Sequence, residues 1–405
     1  MRFLVLKFGG TSVATPELRS KMAERVLETV KQGFHPVVVV SAIGRLGDPY
    51  ATDSLLNLVR DIDDQLPGRE QDLLLSCGEI ISAVLTAATL RRRGLEAFSL
   101  TGAQAGIITS GNFTEARILR VEPRSILNAA AEGRIAVVAG FQGISEDGEV
   151  TTLGRGGSDT TAAALAVALD AAAIDIYTDV DGVMTADPRI VGEARLLEKV
   201  TYNEICQLAQ EGAKVIHPRA VEIAMQKNIP LRVKSTFSGA PGTLITSHAE
   251  VFPGAIDITT DRLLTGITYI RNITQFSVPV AGRNAAASLF NALGEAGISV
   301  DLINVHPDLV AFTVREAMAE RAAGILDGLG LRPSVRPDCA KVAAVGAAMT
   351  GVPGVMGRIV STLAAENIPI LQSSDSYTTI WVLVPGEDME RAIRALYRAF
   401  HLGDG

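Results

Sequence analysis

The sequence predicts an α/β protein with a mostly parallel sheet sandwiched by helices, followed by two small α+β modules. Three observations lead to this fold class. Over residues 1–246, short apolar runs alternate with longer helical patterns, which is typical of βαβ units. After a polar stretch at residues 247–262, the pattern changes to shorter segments. There, residues 285–304 can be laid over residues 355–374, which indicates an internal repeat with a period of about 70 residues.

The alternation is clearest near the N-terminus. The run "RFLVLKF" predicts a strand, "ELRSKMAERVLETVKQG" predicts an amphipathic helix that ends at Gly33, and "HPVVVVSAIG" predicts a second, fully buried strand. A long helix is predicted over residues 69–94. Further strands are predicted at 96–100, 135–140, 175–180 and 231–235. The order is doubly wound in character, and in such sheets ligands gather at the carboxyl ends of the strands.

Each copy of the repeat reads as a helix, a Gly or Asn stop and a strand. The copies are flanked by β-like runs at residues 274–280, 309–314, 340–346 and 378–384. The sequence therefore predicts a body over residues 1–246, a first module over 262–330 and a second module over 338–405. Duplicated modules outside an α/β body favour paired sensing or dimerisation over mere packing.

Composition and charge exclude several classes of function. The 405 residues include 37 Lys and Arg against 45 Asp and Glu, a net charge of −8, so a large basic surface for nucleic acid or anionic lipid is not expected. The apolar run Leu4 to Phe8 is too short for a signal peptide, and no apolar stretch is expected to be long enough to span a bilayer. We expect a cytoplasmic protein with no membrane partner, whose three scattered cysteines are buried thiols.

The stretch "TTLGRGGSDTTAAAL" at residues 151–165 indicates a binding site at a helix start. Its three glycines permit close backbone approach, and the first free N–H groups of the helix favour negative charge. Arg155 and Asp159 together suit a zwitterion, with the guanidinium on a carboxylate and the carboxylate on an ammonium. The alternative is helix capping by Ser158 or Asp159, with Arg155 paired locally.

The stretch "KFGGTSV" at residues 7–13 has the composition of a phosphate site. Lys7 lies at the end of the first strand, Gly9 and Gly10 form the turn, and Ser12 leads into the next helix. Bare amides, hydroxyls and one cation are what a phosphate requires. The pattern is neither a Walker A loop nor a Rossmann fingerprint. An ordinary βα turn is the alternative, although a lysine within an apolar strand argues against it.

Two further segments carry polar residues beside predicted strands and helices. Ser41 stands at the end of the second strand, and Thr52 or Asp53 is expected to cap the helix that follows. Glu79 lies inside the otherwise apolar long helix. There it either faces solvent or, if buried, needs a partner.

The stretch "YTDVDGVMTADPRIV" at residues 177–191 ends a predicted strand with a loop rich in turn formers. Thr178 and Asp179 close the strand, and Asp181 and Asp187 follow. Such carboxylates either help to hold hydrated Mg²⁺ or are simply solvated. Arg189 is placed to reach a polyphosphate.

The stretch "EGAKVIHPRAVEIA" at residues 211–224 offers Lys214 and His217 near a helix start. We expect His217 to cap or pack rather than to catalyse. The five histidines are dispersed, so the sequence predicts no Ser/His/Asp triad and no set of metal-ligating side chains.

Taken in chain order, four of these stretches resemble the motifs of the aspartate kinases, members of the amino acid kinase superfamily: "KFGGTSV", "TTLGRGGSDTTAAAL", "YTDVDGVMTADPR" and "GAKVIHPRAVEIA". The C-terminal pair resembles the tandem ACT domains of that family, although only the second module keeps a Pro-Gly pair before its helix, in "MTGVPGVMGRIV". The spacer "GRLGDPYATDSLL" and the run "DSYTTIWVLV" are most similar to the monofunctional, diaminopimelate-responsive branch of Bacillus-type bacteria.

The resemblance implies ATP-dependent, Mg²⁺-assisted phosphorylation of the side-chain carboxylate of L-aspartate, the step that opens the route to lysine, methionine and threonine. The catalytic residues it implies are Lys7, Arg155 and Asp159. For the aspartate pocket it implies Ser41, Thr52, Glu79, Arg155, Ser158 and Asp159. For ATP it implies Lys7, Gly9, Gly10, Ser12, Thr178, Asp179, Asp187, Arg189 and Lys214.

The resemblance also implies regulation. An effector amino acid, either lysine, threonine or diaminopimelate, is expected near Asp301 or Gln372, and a homodimer or higher oligomer is expected through the ACT domains. Two rival hypotheses remain. One is another amino acid or acyl-group kinase of the superfamily, for example one acting on glutamate. The other is a non-catalytic amino-acid sensor.

Overall fold

The structure, a computed structural model, describes residues 1–60, 62–63, 65–213, 215–247, 264–280, 284–346, 349 and 352–404. The chain divides into two compact units. Unit 1 comprises Met1–Val183, Leu196–Ala209 and Lys214–Ile256, and unit 2 comprises Met184–Arg195, Gln210–Ala213 and Asp257–Gly405. Residues 248–263 lie outside the described residues, so the predicted domain borders at 246 and 262 stay predictions.

Unit 1 is built around an eight-stranded sheet. Its strands are β1 (Phe3–Phe8), β2 (His35–Val40), β3 (Ala97–Leu100), β6 (Ile135–Ala139), β9 (Ile174–Thr178), β10 (Lys199–Thr201), β11 (Leu231–Ser235) and β12 (Thr243–Thr246), in the order β10-β12-β11-β9-β1-β2-β6-β3. Every pair is parallel except β11 with β12. The mostly parallel sheet is confirmed.

The helices of this part of the chain are α1 (Pro16–Lys31), α2 (Thr52–Arg60), α3 (Gly68–Arg92), α4 (Arg124–Ala131), α5 (Gly157–Ala168), α6 (Tyr202–Gln210) and α7 (Pro218–Met225). Residues Val37–Val40 of β2 are fully buried, as a strand covered on both faces requires. Helices α1 and α3 bury Met22, Val26, Ala83 and Leu90 in one core with β1 and β2. The helices therefore flank the sheet and leave its strand ends for a site.

Helix α3 corrects one expectation from the sequence. Of the described helices, it alone is long and apolar enough to cross a membrane by length and composition. Half of its apolar window is buried inside the protein, and the buried residues include Asp72 and Glu79. A core helix passes the same test, so this is weak support for a membrane span.

A smaller four-stranded sheet also belongs to unit 1. It consists of β4 (Ile107–Thr109), β5 (Ile118–Val121), β7 (Gln142–Ser145) and β8 (Val150–Thr152), in the order β5-β4-β7-β8. Strand β8 pairs antiparallel with β7, with Gln142 opposite Thr152. It ends directly before the glycine-rich turn that begins α5, so this sheet determines where the turn starts.

Unit 2 contains a six-stranded antiparallel sheet. Its strands are β13 (Gly266–Pro279), β14 (Asp301–Val305), β15 (Leu309–Arg315), β16 (Ser334–Val345), β17 (Gln372–Asp375) and β18 (Thr379–Pro385), in the order β14-β15-β13-β16-β18-β17. Its helices are α8 (Ala285–Glu295), α9 (Ala319–Gly328), α10 (Val355–Ala365) and α11 (Met389–Ala399). The internal repeat is confirmed, because α8 with β14 and α10 with β17 repeat the same order, and the two copies share one sheet.

Two segments from within residues 1–246 belong to unit 2. The segment Met184–Arg195 is held by α11, where the Tyr397 hydroxyl donates to the carbonyl of Glu193 at 3.1 Å and lies 3.0 Å from the Thr185 hydroxyl. The segment Gln210–Ala213 contacts β13, since the Thr268 hydroxyl donates to the carbonyl of Glu211 at 3.1 Å. Unit 2 is therefore not simply the C-terminal part of the sequence.

Candidate active site

The phosphate-type turn after β1 and the start of α5 meet in space. The Nζ atom of Lys7 lies 2.7 Å from Oδ1 of Asp159, and both side chains are nearly buried, at 13% and 12% exposed. Helix α5 has Gly156 as its N-cap, with no side-chain capping bond. The capping interpretation of Ser158 and Asp159 is therefore wrong, because both lie in the first turn and Asp159 pairs with a lysine from another element.

The turn at residues 154–157 presents Arg155 to solvent. Gly154 and Gly156 have φ of 71° and 69°. A Cβ at Gly156 would lie 2.2 Å from the ring of His217, so this position requires glycine. His217 itself caps α7, where its Nδ1 accepts from the N–H of Arg219 at 3.3 Å, which confirms the capping prediction. Within the described part of the chain, the Arg155 guanidinium has no hydrogen bond or ion pair, which leaves it free for a ligand.

The turn at residues 9–13 packs closely on the loop that follows β2. The N–H of Gly9 donates to the carbonyl of Tyr177 at 3.1 Å, and that of Gly44 donates to the carbonyl of Gly10 at 3.0 Å. A Cβ at Gly10 would lie 2.4 Å from the carbonyl oxygen of Ala42. The close approach thus depends on glycine. Residues 10–13 form a 3₁₀ turn, and the Ser12 hydroxyl lies 2.7 Å from that of Thr236.

Glu79 is buried, at 2% exposed, so the solvent-facing interpretation is wrong. Its Oε1 accepts from the N–H of Ala42 at 3.0 Å, and among the described residues its Oε2 has no partner. Burial raises the pKa of this carboxyl to about 8. The loop that Glu79 contacts begins at Ser41, whose N–H donates to the carbonyl of Phe8 at 3.1 Å. Helix α2 begins at Thr52.

The acidic loop after β9 is engaged by different partners. The Thr178 hydroxyl donates to Asp179 at 3.1 Å, Asp179 forms an ion pair with Arg45, and Asp181 accepts a hydrogen bond from the hydroxyl of Ser238. In the described residues, no group of three or more His, Cys, Asp or Glu side chains could hold a metal ion. The carboxylates of this loop, as far as it is described, therefore do not form a complete set of metal ligands by themselves.

Asp187 and Arg189 lie in unit 2, where they bind each other. The guanidinium donates to the carboxylate at 2.7 Å and 3.0 Å, and the Tyr269 hydroxyl donates to the same carboxylate at 3.0 Å. The bond from Arg189 is the main reason that the pKa of Asp187 is lowered. The Arg189 side chain stays 84% exposed. The predicted nucleotide residue Lys214 lies outside the described residues.

The two residues predicted for an effector site lie next to each other in unit 2. Gln372 donates to the carbonyl of Leu302, the residue after Asp301, and accepts from Gln275 at 2.9 Å. Asp301 forms an ion pair with the buried Lys341 at 2.6 Å. On its other side, Lys341 pairs with Glu211 at 2.8 Å. Neither Lys341 nor Glu211 was predicted as part of a site.

Sequence reasoning also missed Asp72 and Arg45. Asp72 is fully buried on α3 and accepts hydrogen bonds from two separate segments, and Arg45 neutralises Asp179. For Lys341 a signal was present, because it is a charged residue within the apolar pattern "AKVAAVG", whereas Asp72 ends the polar run "REQD", where a charge is ordinary. For Arg45, in a loop rich in turn formers, no such signal exists.

Comparison with known proteins agrees with this geometry. The profile of the amino acid kinase family matches residues 2–235, and an ACT domain profile matches residues 334–398. Aspartokinase 1 of Bacillus subtilis is 52% identical over 404 residues, which cover 99% of this chain and 100% of that protein. The chain belongs to the aspartokinase family. It is an enzyme of the kinase class, and the resemblance stated from its motifs is confirmed.

Solved structures of this family have the same fold. The structure of E. coli aspartokinase III in complex with aspartate and ADP has a TM-score of 0.75 at 28% identity, covering 98% of this chain and 99% of that one. The same E. coli enzyme in complex with lysine and aspartate has a TM-score of 0.74 at 28% identity, with the same coverage. The predicted α/β fold followed by ACT modules is therefore confirmed for nearly the whole chain.

The raised pKa of Glu79 leads to a prediction for stability. Unfolded, this carboxyl ionises near its ordinary pKa of 4.5, whereas in the folded protein it stays protonated up to about pH 8. Between these values the native state holds one more proton than the unfolded state, so the stability contributed by this group falls as pH rises. Glu79→Gln should therefore stabilise the protein little near pH 5 and most above pH 8, by on the order of 4 kcal/mol.

Urea unfolding of the native protein and the variant at about pH 5, 6.5 and 8.5 checks this. The exposed Glu132→Gln serves as the control and should show no such trend. A stability difference for Glu79→Gln that does not change with pH would show that the native carboxyl is ionised throughout.

Proposed function

We propose that this chain transfers the γ-phosphoryl group of ATP to the side-chain carboxylate of L-aspartate, giving 4-phospho-L-aspartate and ADP. The observation that carries the proposal is the contact between Lys7 and Asp159. It joins a cation at a phosphate-type turn to a carboxylate suited to an ammonium, at the carboxyl end of β1. A nucleotide and an amino acid are thereby expected at adjoining positions. The kinship with aspartokinases and the aspartate and ADP in the E. coli structure support the choice of substrates.

The chemistry requires alignment rather than a base. The attacking carboxylate is already ionised at neutral pH. One of its oxygens forms a bond to the γ-phosphorus while the bond from that phosphorus to the ADP oxygen breaks, and ADP leaves with the electron pair. The protein has to bring two anions together and stabilise the charge on the transferring group. Lys7 is the cation for this task.

Each substrate would take over one half of the ion pair that the free protein forms. The phosphoryl group would engage the ammonium of Lys7, and the ammonium of aspartate would engage Asp159. The free guanidinium of Arg155 suits the α-carboxylate, in the two-pronged geometry that arginine offers. The ammonium would lower the pKa of Glu79 again, so that the unpartnered oxygen loses its proton and becomes a second acceptor for the ammonium. Ser41, Thr52 and Ser158 would complete the aspartate pocket.

The nucleotide half of the site is proposed from the residues that the resemblance implies for ATP. Gly9, Gly10 and Ser12 would cradle the phosphates, and Thr178 and Asp179 would face the nucleotide from the end of β9. Lys214 is proposed for the same ligand, whereas Asp187 and Arg189, which bind each other in unit 2, stay predictions from the resemblance. Magnesium fits this donor set as an ion carried mainly by the ATP phosphates, with Asp179 or Asp181 reaching it through water, since Mg²⁺ keeps much of its hydration shell. When bound, it would neutralise phosphate charge.

We propose a cytoplasmic enzyme that is regulated by an amino acid product of its pathway and assembles as a homodimer or higher oligomer through its ACT modules. The ACT profile match supports regulation, and the lysine complex of the E. coli enzyme supports an amino acid effector. The proposed site lies at Asp301 and Gln372, where the ammonium of an effector would compete with Lys341 for the Asp301 carboxylate.

An ADP-release assay tests the overall proposal. Aspartate should support turnover and glutamate should not, and hydroxylamine should trap the acyl phosphate as a hydroxamate. Turnover with glutamate alone would favour the rival amino acid kinase. ATP binding without turnover on either substrate would favour the non-catalytic sensor.

Arg155→Ala should raise the KM for aspartate roughly tenfold to a hundredfold, because a charged two-pronged contact contributes ~1.5 to 3 kcal/mol. The KM for ATP should change far less. Steady-state kinetics with each substrate varied in turn measures both, and the exposed Arg124→Ala is the control. Equal effects on the two KM values would remove Arg155 from the aspartate pocket.

Lys7→Ala should reduce kcat by about 10² to 10³-fold or more, because a positioned cation acts on charge that develops in the transition state. The variant should have a lower melting temperature, because Asp159 loses its nearly buried partner, but a near-UV circular dichroism spectrum should show that the fold is kept. The exposed Lys31→Ala should turn over normally. Near-normal kcat in the Lys7 variant would exclude this residue from the mechanism.

At least one of lysine, threonine and diaminopimelate should lower the initial rate when titrated into the assay. Asp301→Asn should weaken that inhibition by about tenfold, since a charge-assisted hydrogen bond to the effector is lost. The exposed Asp308→Asn, in the loop before β15, is the matched control. The regulatory proposal fails if none of the three amino acids alters the rate.

A further inference from the structure

Asp72 is a fully buried carboxylate with no role in the proposed reaction. It lies in the second turn of α3 and accepts from the N–H of Thr114 at 2.9 Å, from the N–H of Thr152 at 2.9 Å and from the hydroxyl of Thr152 at 2.6 Å. No ion pair reaches it among the described residues. A buried carboxylate is costly unless its oxygens are satisfied, and here neutral donors from two segments satisfy them.

Both segments lead to the turn that carries Arg155. Thr152 is the last residue of β8, two residues before Gly154. Thr114 has a φ of 68°, and its carbonyl oxygen lies 3.3 Å from where a Cβ of Gly154 would be. The two segments are also joined directly, since the N–H of Ala116 donates to the carbonyl of Thr152 at 2.9 Å. Asp72 thus binds both segments that contact or precede the turn at residues 154–157.

The left-handed backbone of Thr114 shows that this arrangement is under constraint. A non-glycine residue in that conformation costs energy and persists only where its surroundings hold it in place. The N–H of Thr114 is the group that Asp72 binds, with both carboxylate oxygens within 3.1 Å. The carboxylate therefore stabilises the conformation on which Gly154 rests.

Helix α3 also contacts two neighbouring parts of the site. One turn after Asp72, the carbonyl of Ser76 accepts from the side chain of Gln142 on β7 at 2.8 Å. Two turns after Asp72, about 10 Å along the axis, Glu79 binds the N–H of Ala42. A rigid helix therefore fixes the distance between the Arg155 turn and the loop at residues 41–44.

We infer that Asp72 is a positioning residue that places Arg155 for the α-carboxylate of the acceptor amino acid. The inference rests on the proposed role of Arg155. Asp72 contacts neither substrate in this proposal and acts only through β8 and the segment at Thr114. Removing its acceptor capacity lets the turn move, and a displacement of about 1 Å is enough to reduce productive binding strongly.

The test is Asp72→Asn, which keeps the shape but removes the charge and replaces one acceptor oxygen with an NH₂ donor; in either orientation of the amide, that donor faces the N–H of Thr114. The KM for aspartate should rise about tenfold, while the KM for ATP stays within about twofold. Thr152→Val is a milder second variant, which loses only the 2.6 Å hydroxyl bond, and it should raise the KM for aspartate a few-fold. Glu70→Gln, an exposed carboxylate on the same helix, is the matched control and should leave both KM values unchanged.

A double-mutant cycle separates positioning from a general structural role. If Asp72 acts through Arg155, the double variant Asp72→Asn/Arg155→Ala should have a KM for aspartate no higher than Arg155→Ala alone. Multiplied effects, or a lowered melting temperature with an unchanged KM for aspartate, would overturn the inference. If Arg155→Ala itself leaves the KM for aspartate unchanged, the assignment of Arg155 fails instead, and the two failures are distinguishable.

Discussion

The ion pair between Lys7 and Asp159 is the interaction on which the proposed site depends. In a nearly buried position, a lone ammonium or a lone carboxylate would be strongly disfavoured. The free protein meets this cost by letting each charge satisfy the other at 2.7 Å. The same two charges are complementary to a phosphoryl group and to an amino acid ammonium. The substrates would therefore exchange one set of charge pairs for another without leaving a buried charge uncompensated.

Glycine residues allow the turn after β1 and the turn before α5 to pack closely against their neighbouring segments. The loop after β2 approaches the turn after β1 so closely that Gly10 has no room for a side chain, and His217 leaves none at Gly156. The polar residues of the site are thus supported by contacts between backbones rather than by long side chains. This explains why the motifs are so rich in glycine although only a few of their residues carry charge.

Much of this could be predicted from the sequence, because the signals are local. The apolar runs of β1 and β2 and the helical periodicity of α1 and α3 gave those elements to within a few residues, and the repeat gave the order of elements in unit 2. The environment of individual side chains was harder to predict. The sequence leaves open whether Glu79 faces solvent or is buried, and its burial follows from the packing of α3 on the sheet. Asp72 depends on Thr114 and Thr152, which are distant in sequence, and no local pattern identifies such partners.

The common sheet of unit 2 has a consequence for the chain as a whole. Strands β13 and β16 pair with each other at its centre, and each belongs to a different copy of the repeat. Cutting the chain between the copies and separating them would strip hydrogen-bond partners from both strands and leave two long, bare edges. Bare edges of this kind recruit other strands and promote aggregation. In the intact chain each copy of the repeat covers the strand edge of the other. Either copy is therefore expected to aggregate when it is produced as an isolated fragment.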